Sequence, residues 1–233
     1  MKDFDVDIYL DGPKLEELST SYNVNVAGYT FNPSLFRSNN AENYIDHSKK
    51  ILTHIQDKPV SLEVIADSFD EMISQAVTLN ALAENVFVKI PITNTKAELT
   101  LPVLKELVKK NIKMNITAIF TFKQVEEILN EIKNTNSIIS VFSGRLFDIG
   151  IDAVPITKEI SSFVHNNSQC KTLWASTRMV YDINNAMKSD CDIITMPSSF
   201  LKKIHLFEKN PEDYSLETVK MFYQDALKSN YKI

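Results

Sequence analysis

The sequence predicts an α/β fold, a closed (β/α)8 TIM barrel in a single domain with one extra C-terminal helix. Three observations carry this. Short runs rich in Val, Ile, Phe and Tyr alternate with segments of 3.6-residue periodicity along the whole chain. Eight such units fit within 233 residues, slightly below the ~250 usual for a barrel of this kind. No Pro/Gly/Ser-rich stretch or composition shift divides the chain. Strands alternating with helices imply a parallel sheet with right-handed crossovers. The competing open, doubly wound sheet would show a glycine-rich turn after its first strand, where this chain has Leu10-Asp11-Gly12-Pro13.

The strands are expected at Val6–Leu10, Val26–Thr30, Val60–Ile65, Val86–Ile90, Met114–Ile119, Ile138–Phe142, Thr172–Ala175 and Asp192–Thr195. Each precedes a helical pattern. The clearest are Phe69–Leu82, with Met72, Ile73, Ala76, Val77 and Leu79 on one face, then Leu101–Lys110 and Phe122–Glu131. Residues 1–210 form the expected barrel. Within residues 211–233, Ser215–Lys228 reads as an amphipathic helix with Ser215 as N-cap and Leu216, Val219, Phe222 or Tyr223, and Ala226 along one side. That helix either closes the outer ring of its own barrel or packs on a neighbouring subunit.

Composition narrows the setting. The chain is 44% apolar and 24% charged with a formal net charge of −5, which excludes disordered and collagen-like classes. Only 4 glycines are present, and neither a G-x-G-x-x-G nor a G-x-x-x-x-G-K-[ST] loop occurs. Asparagines such as Asn94 and Asn111 are expected to take over left-handed turn positions. Met1–Gly12 lacks the basic and apolar regions of a signal peptide, no window is long and apolar enough for a membrane span, and Cys170 and Cys191 are too few for a disulfide framework. His47, His54, His165 and His205 fit no metal-ligand spacing. A cytoplasmic protein without metal or cofactor, and with no nucleic-acid or membrane partner, is the expectation.

In a barrel, chemistry sits where strands end and loops begin. In order, those points carry Asp11, Asn32, Glu63, Lys89, Asn115 with Thr117, Gly144-Arg145, and Ser176 with Arg178. Lys89 is the least expected, because it interrupts the apolar strand Val86-Phe87-Val88-Lys89-Ile90. It could snorkel to solvent, pair with Glu63 or Asp11, or serve as a Schiff-base amine. The last requires desolvation to lower an amine from ~10.4 towards ~7–8.

These residues carry a resemblance. Gly28-Tyr29-Thr30-Phe31-Asn32-Pro33-Ser34-Leu35 resembles the T-[ST]-N-P-[ST]-L signature of the transaldolase family, and Val88-Lys89-Ile90-Pro91-Ile92-Thr93 its active-site lysine motif. Val60–Val64, Lys113–Thr117, Val141–Arg145 and Ala175–Arg178 follow in matching order. The coverage, residues 5 to 205, is similar to the shorter single-barrel members, which include fructose-6-phosphate aldolases. The resemblance implies an imine between Lys89 and the C2 carbonyl of a ketose phosphate, with Asp11 as general acid/base and Glu63 and Thr117 holding a water. It implies Asn32 and Asn115, with Thr30 and Ser61 beside them, around the dihydroxyacetone portion, and Arg145, Ser176 and Arg178 around phosphate. It also implies a homo-oligomer acting on sugar phosphates. Glu63 and Phe142 are the choices of transaldolases, whereas the aldolases have glutamine and tyrosine there. This favours transfer over simple cleavage; a related Schiff-base aldolase, or a transaldolase for a specialised sugar, is the alternative. A non-catalytic sugar-phosphate-binding barrel is a further alternative, disfavoured by the joint presence of Asp11, Glu63, Lys89 and Thr117.

The chain departs from the family pattern at Phe31, Gly12-Pro13, Trp174 and Asn94-Thr95-Lys96. Bulky Phe31 and Trp174 are expected near the barrel mouth, where they would reshape the acceptor pocket.

Overall fold

The computed structural model describes residues 2–229 and 231. Its eight strands are β1 (Asp7–Asp11), β2 (Val26–Thr30), β3 (Val60–Glu63), β4 (Val86–Pro91), β5 (Met114–Ile119), β6 (Ile138–Val141), β7 (Lys171–Trp174) and β8 (Ile193–Met196). All pair in parallel, in sequence order, and β8 closes on β1. The helices are α1 (Pro33–Ser38), α2 (Tyr44–His54), α3 (Phe69–Asn80), α4 (Leu101–Lys109), α5 (Phe122–Ile132), α6 (Ser143–Asp148), α7 (Ala153–Asn167), α8 (Asp182–Lys188), α9 (Ser198–Leu201) and α10 (Pro211–Ser229).

The expected strands are present, most with ends shifted by a residue or two. β3 stops at Glu63 because the N–H groups of Ile65 and Ala66 donate to Gln75 Oε1 on α3 instead of to a ladder partner. No α-helix follows β1. The short connection holds Pro13 and a Ser/Thr/Asn-rich run, residues that favour turns, and forms only the 3-10 turn Leu15–Glu17. The last helix begins one turn earlier than expected. Asn210 Oδ1 accepts from the N–H groups of Glu212 and Asp213, with Pro211 at the first helical position, so Asn210 rather than Ser215 is the cap.

Period-two alternation divides the buried residues into two sets. Outward residues of the strands, such as Leu62, Val88, Ile90 and Ile116, pack against Met72, Leu104 and Ile128 of the helices. Inside, Tyr9, Ile138, Leu173 and Ile193, with Phe87 beside them, fill the barrel below its mouth. A Cβ at Gly28 would lie 2.5 Å from the Tyr9 ring, so glycine is what lets that ring enter. Burial pushes the Tyr9 phenol up to about 12, so it stays neutral.

Phe31 and Trp174 belong to the outer set, which corrects the expectation that they line the mouth. Each is fully buried towards the helices, Phe31 against Phe36 at 5.5 Å and Trp174 against Phe147 at 5.9 Å between ring centroids. Each directly follows an inward residue, Thr30 and Leu173, and so must point out. Asn111 does adopt a left-handed backbone, with φ 54°. Asn94 does not: its Oδ1 accepts from the N–H groups of Lys96 and Glu98, and the left-handed residue of that loop is Ala97.

The α10 helix has no buried residue, and Leu216, Val219, Phe222 and Tyr223 are each more than half exposed. Among the described residues, no helix is long and apolar enough to cross a membrane.

Candidate active site

The strand register brings the polar inward residues together at the C-terminal mouth. Asp11 lies opposite Thr30, Glu63 opposite Lys89, Lys89 opposite Asn115 and Pro91 opposite Thr117. One cleft is lined by Asp11, Thr30, Asn32, Lys89, Thr117, Phe142, Arg145 and Ser176, together with Ser140 and Thr195.

Lys89 is 6% exposed. Its Nζ lies 3.1 Å from Glu63 Oε2 and donates to the Phe31 carbonyl at 3.2 Å. Of the alternatives open from spacing, pairing with Glu63 is therefore realised, and the pair leaves a carboxylate within proton-transfer distance of a buried amine. Tyr44 fixes Glu63 from behind: its hydroxyl donates to the Glu63 carbonyl at 2.7 Å and accepts from the Glu63 N–H at 3.0 Å.

Asp11 accepts from Thr30 Oγ1 at 2.7 Å. Burial raises its carboxyl above the usual range; the Thr30 bond and the Lys89 charge pull it down, and Glu63 pushes it up again. The net direction is upward, towards a group that can both take and return a proton.

Thr117 Oγ1 is buried without a hydrogen-bond partner in the protein. Such a hydroxyl costs about 1–3 kcal/mol, and it faces the cleft. Behind it, Ala118 adopts φ 60° where β5 slips register against β6 between Ile116 and Ile119. Ser176 is likewise left-handed, with φ 64°. Strain of this kind, about 1–3 kcal/mol per residue, concentrates at functional sites.

Asn32 is half committed: Oδ1 caps α1 by accepting from the Leu35 N–H at 2.9 Å, leaving its amide NH2 for the cleft. Asn115 lies just below the cleft, fully buried, donating to Ser61 Oγ at 3.0 Å and accepting from Ser140 Oγ at 2.6 Å. Arg145 stacks over the Phe142 ring at 5.6 Å. Gly144 before it admits close packing, since a Cβ there would fall 1.7 Å from the Ser176 carbonyl oxygen.

Arg178 stands apart from the cleft. Its Nε donates to Asp148 Oδ1 at 2.8 Å, its second terminal nitrogen pairs with Asp148 Oδ2, and the first donates to the Ser176 carbonyl at 2.8 Å. Arg145 thus reaches the cleft directly, while Arg178 sits behind Ser176. Sequence reasoning missed Ser140 and Thr195. Both are polar residues inside apolar strands, the same signal that singled out Lys89. The Phe31 carbonyl, a backbone partner, has no sequence signal.

Among the described residues no group of three or more His, Cys, Asp or Glu could hold a metal ion. Cys170 and Cys191 are both buried free thiols.

Known proteins resemble the chain in fold and in sequence. The deoxyribose phosphate aldolase of Aeropyrum pernix superposes with a TM-score of 0.60 over 88% of this chain and 90% of its own, at 10% identity, and so shares the fold. A thiamine phosphate pyrophosphorylase from Pyrococcus furiosus superposes with a TM-score of 0.56 over 85% of this chain and 88% of its own, also at 10% identity. Sequence relatives are nearer. A "probable transaldolase" of Thermoplasma volcanium is 34% identical over 88% of this chain and 90% of its own length. One of Thermoanaerobacter is 32% identical over 97% and 99%, and one of Bartonella henselae 32% over 84% and 87%. The sequence profile of the transaldolase/fructose-6-phosphate aldolase family matches residues 8–232. With a barrel of eight parallel strands, a buried lysine on β4 and this match over nearly its full length, the chain belongs to the transaldolase/fructose-6-phosphate aldolase family.

Proposed function

We propose that the chain is a Schiff-base transaldolase. It moves a dihydroxyacetone unit from a ketose phosphate, such as fructose 6-phosphate or sedoheptulose 7-phosphate, to an aldose phosphate. The observation that carries this reading is Lys89: a buried amine, 3.1 Å from the Glu63 carboxylate, in one cleft with Asp11.

Lys89 Nζ attacks C2 of the ketose once its proton has passed to Glu63, and loss of water leaves the protonated imine. Thr117, whose hydroxyl has no protein partner, and Glu63 hold the water that carries protons in this step. Asp11 removes the C4 hydroxyl proton, the C3–C4 bond breaks, and its electron pair flows into the imine to give an enamine. The aldose phosphate leaves. The enamine then adds to the aldehyde carbon of the acceptor, Asp11 returns its proton to the new hydroxyl, and hydrolysis frees Lys89. Thr30, Asn32 and Asn115 position the three-carbon unit. Phosphate binds at Arg145 and Ser176, with Arg178 behind them, by charge-assisted hydrogen bonds.

Phe142 favours transfer. It lines the cleft beside the enamine and has no proton to give, so the intermediate persists until an aldehyde arrives. The names of the relatives, probable transaldolases, support the same choice. Fructose-6-phosphate aldolase activity is the second reading. Initial rates with fructose 6-phosphate, with and without erythrose 4-phosphate, separate them. Transfer requires product to form at full rate only with acceptor present; an equal acceptor-free rate contradicts it.

We also propose that the protein works in cytoplasmic carbohydrate metabolism as a homo-oligomer. The exposed apolar residues of α10 would pack on a neighbouring subunit.

A further inference from the structure

We propose that Thr195, on β8, is a positioning residue that acts on Asp11 through Thr30. The two hydroxyls form a one-way hydrogen-bond chain that fixes one carboxylate oxygen of Asp11 and leaves the other free to exchange the substrate proton. This rests on the Schiff-base reading above and assigns to it a residue outside the motifs that carry the family resemblance.

Thr195 points inward between Ile194 and Met196, and is 4% exposed. A hydroxyl in such an apolar strand needs a partner. Its Oγ1 lies 2.5 Å from Thr30 Oγ1, which in turn donates to Asp11 Oδ1 at 2.7 Å. Each hydroxyl has one proton. Thr30 commits its proton to the carboxylate, so the short contact with Thr195 is made with the Thr195 proton. Both donors therefore point towards Asp11, and each bond strengthens the next. Among the described residues Asp11 Oδ2 makes no hydrogen bond, and Asp11 lines the cleft. The Thr195 main chain is held as well, its carbonyl accepting from Thr177 Oγ1 at 3.3 Å.

Without Thr195 the Thr30 hydroxyl is free to rotate off Asp11. The carboxylate then loses its oriented donor and its fixed angle to the substrate. The charged groups that face Asp11, Glu63 on β3, Lys89 on β4 and Arg145 across the cleft, stay in place, so a change in its titration reports the Thr30 chain alone.

The test compares Thr195→Val, which keeps shape but removes the hydroxyl, with Thr195→Ser, which restores it. The pH–rate profile and borohydride trapping of the imine with fructose 6-phosphate are measured on both and on the unaltered protein. The valine variant is expected to trap the imine like the parent. Its kcat should fall by up to about tenfold, the upper end for one neutral hydrogen bond, with KM little changed and the limb due to Asp11 moved to higher pH. The serine variant recovers both. A valine variant with the parent's kcat and pH limb overturns the proposal, as does a serine variant impaired as badly as valine. Failure of the parent to trap an imine would instead overturn the Schiff-base reading beneath it.

Discussion

The two faces of the same eight strands obey opposite rules. On β4, Val88 and Ile90 point outward, are fully buried and belong to the apolar core beneath the helices, while Lys89 between them points inward to a carboxylate and a backbone carbonyl. The outward set stabilises the barrel by close packing. The inward set at the mouth spends stability, with a raised carboxyl on Asp11 and an unpartnered hydroxyl on Thr117, and the backbone next to it is left-handed at Ala118 and Ser176. A shift of one residue along a strand therefore separates side chains that hold the fold from side chains to which the proposal assigns the chemistry.

Substitutions on the two faces should separate accordingly. The largest effect is expected for Lys89→Met, which leaves the barrel folded by circular dichroism and lowers kcat on the order of 10⁶-fold, as loss of a covalent nucleophile does. Asp11→Asn should lower kcat about 10²–10⁴-fold while raising stability at neutral pH. The sign follows from the raised carboxyl. The folded state holds the Asp11 proton more tightly than the unfolded chain, so above the ordinary carboxyl value the unfolded chain gains by ionising first, a loss of native stability that asparagine avoids. The gain should shrink as pH falls towards the ordinary value near 4, which thermal melts at pH 7 and pH 4 would show.

On the outer face, Trp174→Ala should cost about 3–5 kcal/mol in denaturant unfolding, with kcat per folded molecule unchanged; a changed KM for the acceptor would return Trp174 to the pocket. The smallest effect on the chain's own stability, within about 0.5 kcal/mol, is expected for Phe222→Glu on α10. Its readout is sedimentation velocity, where a smaller species than the parent's supports α10 as an intersubunit contact.

The barrel was legible because each strand is a short apolar run closed by turn residues and each helix carries its own stripe. Lys89 was legible as a charge where apolar residues belong. Register was the harder part. Phe31 and Trp174 lie close in sequence to site residues, yet the two-residue period turns them outward. The cap of α10 was misplaced because Ser215 and Asn210 are both good caps, and Pro211 decides between them by fitting the first helical turn. Arg178 was expected beside the phosphate, but its pairing with Asp148, thirty residues earlier, depends on how α6 lies against the loop after β7. What Thr195 touches depends on the closure of β8 on β1, which brings it to Thr30.

The central claim is that Lys89 carries the reaction as an imine. Incubation with fructose 6-phosphate and borohydride, followed by peptide mass spectrometry, tests it most directly. A reduced three- or six-carbon adduct on Lys89, absent from Lys89→Met, is the expected result. An unmodified Lys89, under conditions that trap a known Schiff-base aldolase, would contradict it.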